Sequence, residues 1–310
     1  MRNAVDRIAA APITWGVCEI ADWGHQLRPE QVLQEVSGLG LHAIELGPSG
    51  FLPADPKLLR ARLGSHGLEL IGGFVPVVLH VPARLEQELV AVTEVADLLA
   101  SASAEVLVLA ADSADNGYER SEQLDDRAWT KLADGIERVE ELAGTRGLRV
   151  ALHPHYGTAV ESRSDIERVL ESSPVALCLD TGHLMVAGMD VIEVAKSFSE
   201  RIEHVHLKDA DSGLSQLVHS GALGYQEAVA RGMYRPLGRG DIDIQSVVAI
   251  LQGSGYRGWL VLEQDRVLSK QPPKGGGPII DARAGVDYLR RVIADETEKA
   301  VSPFMQAQPR

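Results

Sequence analysis

The chain contains very few cysteines and no long apolar segment. Only two of its 310 residues are cysteine, Cys18 and Cys178, and both lie in strand-like runs. We therefore expect no disulfide framework and a reducing compartment, the cytoplasm. No apolar run reaches the roughly 18 residues that a membrane-spanning helix needs, so we expect no membrane span. Residues 1–11 also lack a long apolar stretch, so we expect no signal peptide.

Basic residues are outnumbered by acidic ones, 30 Lys+Arg against 44 Asp+Glu, which gives a net charge of −14. Such a field repels a polyanion, so we do not expect nucleic acid as a partner, and a small neutral or metal-chelated substrate fits better. Low-complexity tracts are lacking too, and 310 residues with 45% hydrophobic content suffice for one large core. We therefore expect residues 1–310 to form a single domain.

Short apolar runs that end in ionisable residues recur along the chain. Residues 175–179 form such a run, and Asp180 and His183 follow it. Parallel strands that are buried on both faces have such continuous apolar runs, and in α/β folds the chemistry lies at their carboxyl ends. We therefore expect one pocket to receive these side chains. Three further runs end in the same way, at His153 and His155, at His206 and Lys208, and at Glu263 and Asp265.

The spacing of these strand ends indicates repeated strand–helix units. His153 and Asp180 are 27 residues apart, and Asp180 and His206 are 26 apart, close to the roughly 30 residues of one unit. His206 and Glu263 are 57 apart, which allows one unit plus an insertion of about 30 residues. The whole chain has eight such alternations, which predicts an α/β fold of the (β/α)8 TIM barrel type. We predict its strands over residues 11–18, 41–46, 68–75, 105–110, 148–152, 175–179, 202–207 and 258–263.

The segments between these units are expected to form the rim of the barrel. Residues near 112–125, 211–241 and 267–279 are polar or glycine-rich, and we predict rim loops there. The segment 211–241 is the longest that we predict to be irregular. We predict a closing helix over residues 281–293 and a weakly ordered tail to residue 310.

Two histidines and two carboxylates at adjacent strand ends form a mixed nitrogen–oxygen set, His153, Asp180, His206 and Glu263. Such ligands suit Mn, Co, Fe or Zn, whereas sites of oxygen alone suit Mg or Ca. Each residue alone is a weak signal, since an Asp before Thr-Gly is more often a turn or a helix cap. The joint pattern is stronger, because four strands end in this way. We expect Mn or Co first, with Zn, Fe or Mg as alternatives.

Candidates for a general base and acid are His155, Glu45, His183 and Lys208. Histidine suits this role through its near-neutral pKa. Glu45 lies within an apolar run, which is costly unless the carboxylate is paired or used. Lys208 is equally well read as an ion-pair partner of Asp209, and His183 as a residue that orients a metal ligand.

Other polar and aromatic residues have more than one possible role. Because side chains alternate along a strand, we expect one histidine of the pair His204 and His206 to face away from the other, with His204 in a packing or supporting role. Trp15 ends the first predicted strand, where it either stacks on a sugar ring or packs in the core. Arg239, in the glycine-rich segment 237–241, either binds substrate oxygens or is solvated.

Four segments resemble the xylose-isomerase-like TIM barrel superfamily and, within it, the inosose dehydratase family of inositol catabolism. They are residues 153–158 (HPHYGT), 180–183 (DTGH), 204–209 (HVHLKD) and 258–265 (GWLVLEQD). The resemblance covers most of the chain. It implies one divalent metal ion with ligands from strands five to eight, the last three being Asp180, His206 and Glu263. The fifth strand supplies His153 where many members have Glu, and His155 stays open as the alternative ligand.

The resemblance implies a metal-dependent lyase that dehydrates a cyclic keto-polyol such as scyllo-inosose. The reaction would remove the proton α to the ketone and eliminate the β-hydroxyl group. The same metal site also serves a sugar isomerase or 3-epimerase, or the β-elimination of 3-keto-glycosides. A metal-binding barrel without catalysis ranks last, because all four ligand positions hold competent residues. Homo-oligomers, dimers or tetramers, are common in such barrels.

Overall fold

The structure is a computed structural model that describes residues 3–114, 118–119 and 122–306. Within these ranges it contains eleven strands: β1 Ile8–Ala10, β2 Ala43–Ile44, β3 Glu69–Leu70, β4 Gly72–Val77, β5 Val106–Ala111, β6 Arg149–Leu152, β7 Ala176–Asp180, β8 Ile202–Leu207, β9 Asp209–Ala210, β10 Tyr234–Arg235 and β11 Leu260–Leu262. The same ranges contain eleven α-helices: α1 Pro29–Gly38, α2 Pro56–Ser65, α3 Pro82–Ser101, α4 Asp126–Gly144, α5 Arg163–Ser172, α6 Thr181–Val186, α7 Val191–Ser197, α8 Ser212–His219, α9 Tyr225–Ala230, α10 Ile244–Gly253 and α11 Pro278–Gln306.

The main sheet is a nearly closed parallel barrel. Its strand order is β3-β2-β1-β11-β8-β7-β6-β5-β4. Strands β3 and β4 are consecutive and separated only by Ile71, so the first and last members of this order are two parts of one interrupted strand. β3 pairs with β2 on one side, and β4 pairs with β5 on the other. This arrangement confirms the predicted TIM barrel class.

The apolar runs of the strands are buried on both faces of the sheet. One large core cluster joins alternate strand residues such as Leu107 and Leu109 to the surrounding helices. The residues between them belong to two smaller clusters, which contain the other face of the strands: Val106, Val108, Ala151 and Cys178 in one, and Ala9, Ala11, Ala43, Ile71, Trp259 and Val261 in the other. The inside of the barrel is therefore packed, and a site has space only at its ends.

The first predicted strand lies earlier than residues 11–18. β1 spans Ile8–Ala10, and Pro12–Trp15 form a short 3₁₀-helix. Pro12 cannot donate a strand hydrogen bond, which favours the end of the strand before it. Gly16 then ends the 3₁₀-helix with a φ of 76°, a left-handed conformation that favours glycine.

About half of the segment 211–241 is regular, contrary to the prediction. It contains α8, α9 and the strand β10, which pairs antiparallel with β9. Asp211 begins α8 by accepting a hydrogen bond from the Leu214 backbone N–H at 2.9 Å. Val218 and Val229 pack into the core from these two helices. The helices were missed because each is short.

The last helix also differs from the prediction. α11 continues to Gln306, beyond the predicted end at residue 293. Residues 307–310 of the predicted tail lie outside the described residues, as do 115–117 and 120–121 of the predicted rim loop at 112–125. Across the described part of the chain, none of the helices combines the length and apolarity needed to cross a bilayer.

Candidate active site

Asp180 ends β7 and begins α6, and its two carboxylate oxygens have different tasks. Oδ1 accepts hydrogen bonds from the backbone N–H groups of Gly182 and His183, both at 2.9 Å. This is the helix cap that an Asp before Thr-Gly suggests. Oδ2 faces the centre of the barrel mouth. Because the cap fixes the side chain, it also holds Oδ2 in place, so the structural role supports a role in the site.

Three of the predicted metal ligands converge at the carboxyl ends of β7, β8 and β11. Nδ1 of His206 lies 3.6 Å from Asp180 Oδ2 and 3.3 Å from Glu263 Oε2. One ligand atom from each residue lies within 4.8 Å of the other two, and all three side chains are buried. The register pairs Asp180 with His206 across neighbouring strands. A mixed nitrogen–oxygen donor set is therefore assembled by the barrel itself.

His206 is oriented by Glu45, which follows β2. Glu45 Oε1 accepts hydrogen bonds from His206 Nε2 at 2.9 Å and from His204 Nε2 at 2.7 Å. Nδ1 of His206 then has no hydrogen-bond partner among the described residues. Burial alone would raise the pKa of Glu45, but His206 and His204 hold it below its usual range. The carboxylate thus fixes the imidazole so that Nδ1 points at the other two ligands.

The expectation that His204 and His206 face apart is wrong. Residues two positions apart on a strand lie on the same face, and both imidazoles contact Glu45. His204 does, however, take the supporting role that we expected, because it shares the carboxylate that orients His206.

His153 and His155 both follow β6 and are buried, but they make different contacts. His153 Nε2 is 3.2 Å from Asp180 Oδ2, the oxygen that also faces His206. His155 instead donates from Nδ1 to the Tyr156 carbonyl oxygen at 2.7 Å, and its ring lies 3.7 Å from that of His183. The geometry therefore favours His153 over His155 as a fourth ligand.

Lys208 supplies a buried ammonium group between the carboxylates. Its Nζ lies 3.1 Å from Asp180 Oδ2, 3.0 Å from Glu263 Oε2 and 3.1 Å from Asp265 Oδ1. It also donates to His183 Nε2 at 2.9 Å. Burial alone would lower the pKa of Lys208, but the Asp180, Asp265 and Glu263 charges raise it well above its usual value. Lys208 is thus held as a cation with several hydrogen-bond acceptors.

The centre contains more carboxylates than its own cations balance. Glu45, Asp180, Glu263 and Asp265 are all buried here, and Lys208 is the one Lys or Arg among the described residues that line the cavity. Burial raises the pKa of Glu263 to about 7, and Glu45 and Asp180 act in the same direction. Excess buried negative charge and a free imidazole nitrogen suit a bound divalent cation. The residues therefore fit the metal ion that the sequence predicts.

Asp209 does not pair with Lys208, which corrects one of the two readings of that lysine. Its carboxylate accepts hydrogen bonds from the backbone N–H groups of Gly238 at 2.8 Å and Gly240 at 2.9 Å. The glycine-rich segment is thereby held against β9. Arg239 lies exposed between these glycines and is absent from the cavity lining, so the structure does not support its predicted substrate contact.

Trp15 also lies away from the cavity. Its side chain is fully buried, and the indole N–H donates to Glu35 Oε2 at 2.7 Å. The 3₁₀-helix that replaces the predicted strand turns Trp15 toward α1. Of its two possible roles, core packing is therefore the one found.

A cavity of about 620 Å³ lies above the centre and opens at the carboxyl ends of the strands. Aromatic side chains line it, namely Trp23, Phe74, Tyr118 and Tyr225. Tyr118 donates a hydrogen bond to Glu19 Oε1 at 2.6 Å. Because Tyr118 and Glu19 come from different loops, this bond ties two parts of the rim together. Aromatic contacts to a ring-shaped substrate are thus available from residues other than Trp15.

Two tyrosines, Tyr225 and Tyr234, were missed as members of the site, and Asp265 was placed at a strand end but given no role. Tyr225 donates to Asp265 Oδ2 at 2.9 Å, and its hydroxyl lies 3.2 Å from that of Tyr234. Asp265 stands at a predicted strand end and was a detectable candidate. The tyrosines lie in the segment predicted to be irregular, where no pattern pointed to the cavity.

Gly182 allows α6 to pack tightly against Lys208. A Cβ atom at this position would lie 2.6 Å from Lys208 Cβ and 2.7 Å from Tyr234 Cε1. We expect Gly182→Ala to lower the free energy of unfolding by about 1–3 kcal/mol through overpacking. Urea denaturation measures this. As a control, Gly64→Ala adds its Cβ in open space within α2 and should be neutral or stabilising. Equal stability of the Gly182 variant and the wild type would contradict this packing.

These features define a class of protein, a parallel βα barrel with a buried histidine–carboxylate centre at the carboxyl ends of its strands. The sequence profile of the xylose isomerase-like TIM barrel matches residues 33–292, and the chain belongs to this family. The family predicted from the four strand-end motifs is therefore confirmed.

Several curated relatives carry the name inosose dehydratase. The one from Geobacillus kaustophilus (strain HTA426) is 31% identical over 298 residues, which cover 93% of this chain and 94% of that protein. The one from Lacticaseibacillus casei is 29% identical over 280 residues, which cover 86% and 92%. The chain thus matches these relatives over nearly their whole length.

Solved structures show the same architecture at lower identity. The structure of an L-ribulose 3-epimerase has a TM-score of 0.72 at 15% identity and covers 98% of this chain and 99% of its own. The IOLI protein, whose structure contains a zinc atom, has a TM-score of 0.70 at 14% identity and covers 94% and 99%. At these identities the likeness shows the shared fold.

Proposed function

We propose that this protein is a divalent-metal-dependent dehydratase of a cyclic keto-polyol, with scyllo-inosose as its reference substrate. The observation that carries the proposal is the convergence of His206 Nδ1, Asp180 Oδ2 and Glu263 Oε2 below the cavity. The relatives named inosose dehydratase support the substrate and the lyase chemistry. We take residues 1–310 as one barrel domain. Both cysteines are free and buried, which suits the reducing cytoplasm.

The metal would be held by Asp180, His206 and Glu263, with His153 as the fourth ligand. When bound, a divalent ion supplies a Lewis acid for the ketone and a neighbouring hydroxyl group. The mixed nitrogen–oxygen donors favour Mn or Co. The four side chains come from consecutive strands of the barrel, so the backbone holds them in place before any ligand binds.

His155 is the proposed base that removes the proton α to the ketone. Its Nδ1–H is committed to the Tyr156 carbonyl, which leaves the Nε2 lone pair as its acceptor. The side chain is buried at the cavity wall beside the metal centre. Because His155 lines the same cavity as His206, Lys208 and Glu263, it is a candidate to act on a ring that binds there.

Lys208 is the proposed acid that protonates the hydroxyl group leaving from the β carbon. Its ammonium lies at the cavity floor and contacts Glu263 and Asp265. His183 Nε2 accepts a hydrogen bond from this ammonium at 2.9 Å and so positions it. The electrons of the broken C–H bond form the new C=C bond, those of the C–O bond leave with the oxygen, and one water is released.

The test uses the protein stripped with a chelator and then restored with Mn or Co. Given scyllo-inosose, the restored protein is expected to form a product lighter by one water, visible as the ultraviolet absorbance of an enolised dione and by mass spectrometry. The stripped protein is expected to be inactive. A product of unchanged mass would replace the dehydratase with an isomerase or epimerase. No reaction despite tight metal binding would overturn the proposed substrate, and 3-keto-glycosides would be tested next.

A further inference from the structure

The cavity is larger than a bare six-carbon ring needs. Its volume is about 620 Å³, within the roughly 300–1,000 Å³ of pockets that hold drug-sized ligands. The reaction centre occupies only one end, where His206, Lys208 and Glu263 form the floor. Part of the cavity therefore lies beyond the reaction centre and is available to another part of the ligand.

A break in the barrel wall creates this additional volume. β2 ends at Ile44, whereas β4 continues to Val77. The upper part of β4 therefore has a described strand partner only on the side of β5. The cavity passes this break and reaches α3, where Ala91, Val95 and Leu98 line it. We call this part of the cavity, between the loop after β2 and α3, the side lobe.

The side lobe is apolar, and no Lys or Arg is found among the described residues that line it. Leu46 and Leu52 line it together with Val95 and Leu98 of α3, and all four belong to the hydrophobic core or pack against it. The charged residues of α3 in the cavity lining are Glu88, which forms an ion pair with Arg84 at 2.8 Å, and Glu94. An anionic group such as a phosphate would be repelled there, whereas an aromatic or alkyl group would gain from leaving water.

We propose that the side lobe is a binding subsite for an uncharged apolar substituent, an aryl or alkyl group linked through oxygen to the keto-polyol ring. The inference rests on the proposed function, because the ring itself must sit at the metal centre for the substituent to reach the lobe. The substrate class is then a substituted keto-polyol rather than the bare ring alone. The lobe opens to solvent at Ala91, which is exposed, so a substituent of some length can enter.

Binding measurements test the subsite without relying on turnover. The Mn-loaded protein is titrated by calorimetry with scyllo-inositol and with mono-O-benzyl-scyllo-inositol, neither of which has the ketone. We expect the benzyl ether to bind at least about tenfold more tightly, as burial of an aromatic ring predicts. Ala91→Trp, which fills the lobe from an exposed helix position, is expected to remove this gain. Val90→Trp, on the same helix but outside the cavity, is the matched control and should keep it.

The outcomes separate this inference from the proposed function. Equal or weaker binding of the benzyl ether would overturn the subsite, even if scyllo-inosose is dehydrated. A gain that Val90→Trp removes as well would also overturn it, because the effect would not come from the lobe. A gain that only Ala91→Trp removes supports the subsite. If scyllo-inosose is then not dehydrated, the subsite stands and the proposed reaction fails.

Discussion

Replacement of His206 by alanine is expected to reduce kcat/KM by about 10³-fold or more and to remove most of the bound metal. His206 supplies the imidazole whose Nδ1 faces both Asp180 and Glu263. Without it the metal loses the nitrogen donor that lies between these two carboxylates, while the Lys208 ammonium remains close to both of them. The measurements are steady-state kinetics and metal content per chain after dialysis against a weak chelator.

The control for this variant is His42→Ala. His42 is exposed just before β2, so its loss should leave both readouts unchanged. Circular dichroism of the His206 variant keeps unfolding separate from metal loss. A folded His206→Ala protein that retains one metal per chain would show that the metal binds elsewhere.

The strand ends were predictable because each combines two local signals. An apolar run buried on both faces indicates a parallel strand. An ionisable residue at the end of such a run then lies at the carboxyl end of the strand, where α/β barrels have their active sites. Asp180, His206 and Glu263 were found in this way, and the structure brings them together. The spacing predicted the barrel, because the interval from Asp180 to His206 matches one strand–helix unit and that from His206 to Glu263 matches one unit plus an insertion.

Other parts of the site depend on contacts that no local pattern encodes. Glu45 and His206 are 161 residues apart, and their 2.9 Å hydrogen bond exists only because the barrel closes. Sequence placed Glu45 at the pocket but assigned it to acid–base chemistry. The first strand was placed too late in the chain, because Pro12 favours the end of the strand before it and Trp15 lies in the 3₁₀-helix that follows.

Glu45→Gln distinguishes the two roles open to this carboxylate. Because Glu45 accepts hydrogen bonds from both His204 and His206, we expect it to position the metal-binding imidazole. Loss of its charge should weaken metal affinity by about 10–100-fold. Much of kcat should return at saturating metal, since the acid and the base remain. The measurements are the metal Kd by chelator competition and kcat as a function of metal concentration.

The alternative role gives the opposite pattern in the same experiment. If Glu45 is the base that removes the substrate proton, Glu45→Gln abolishes kcat while the metal Kd stays near that of the wild type, and no amount of metal restores turnover. Glu30→Gln, which changes an exposed carboxylate paired with Arg62 on the surface, is the matched control and should change neither quantity.

His204→Phe adds a second check, because it removes one partner of Glu45 without touching the cavity floor. If the carboxylate positions His206, this variant should shift the metal Kd in the same direction as Glu45→Gln. If Glu45 acts on the substrate, the metal Kd should hold and only kcat should fall.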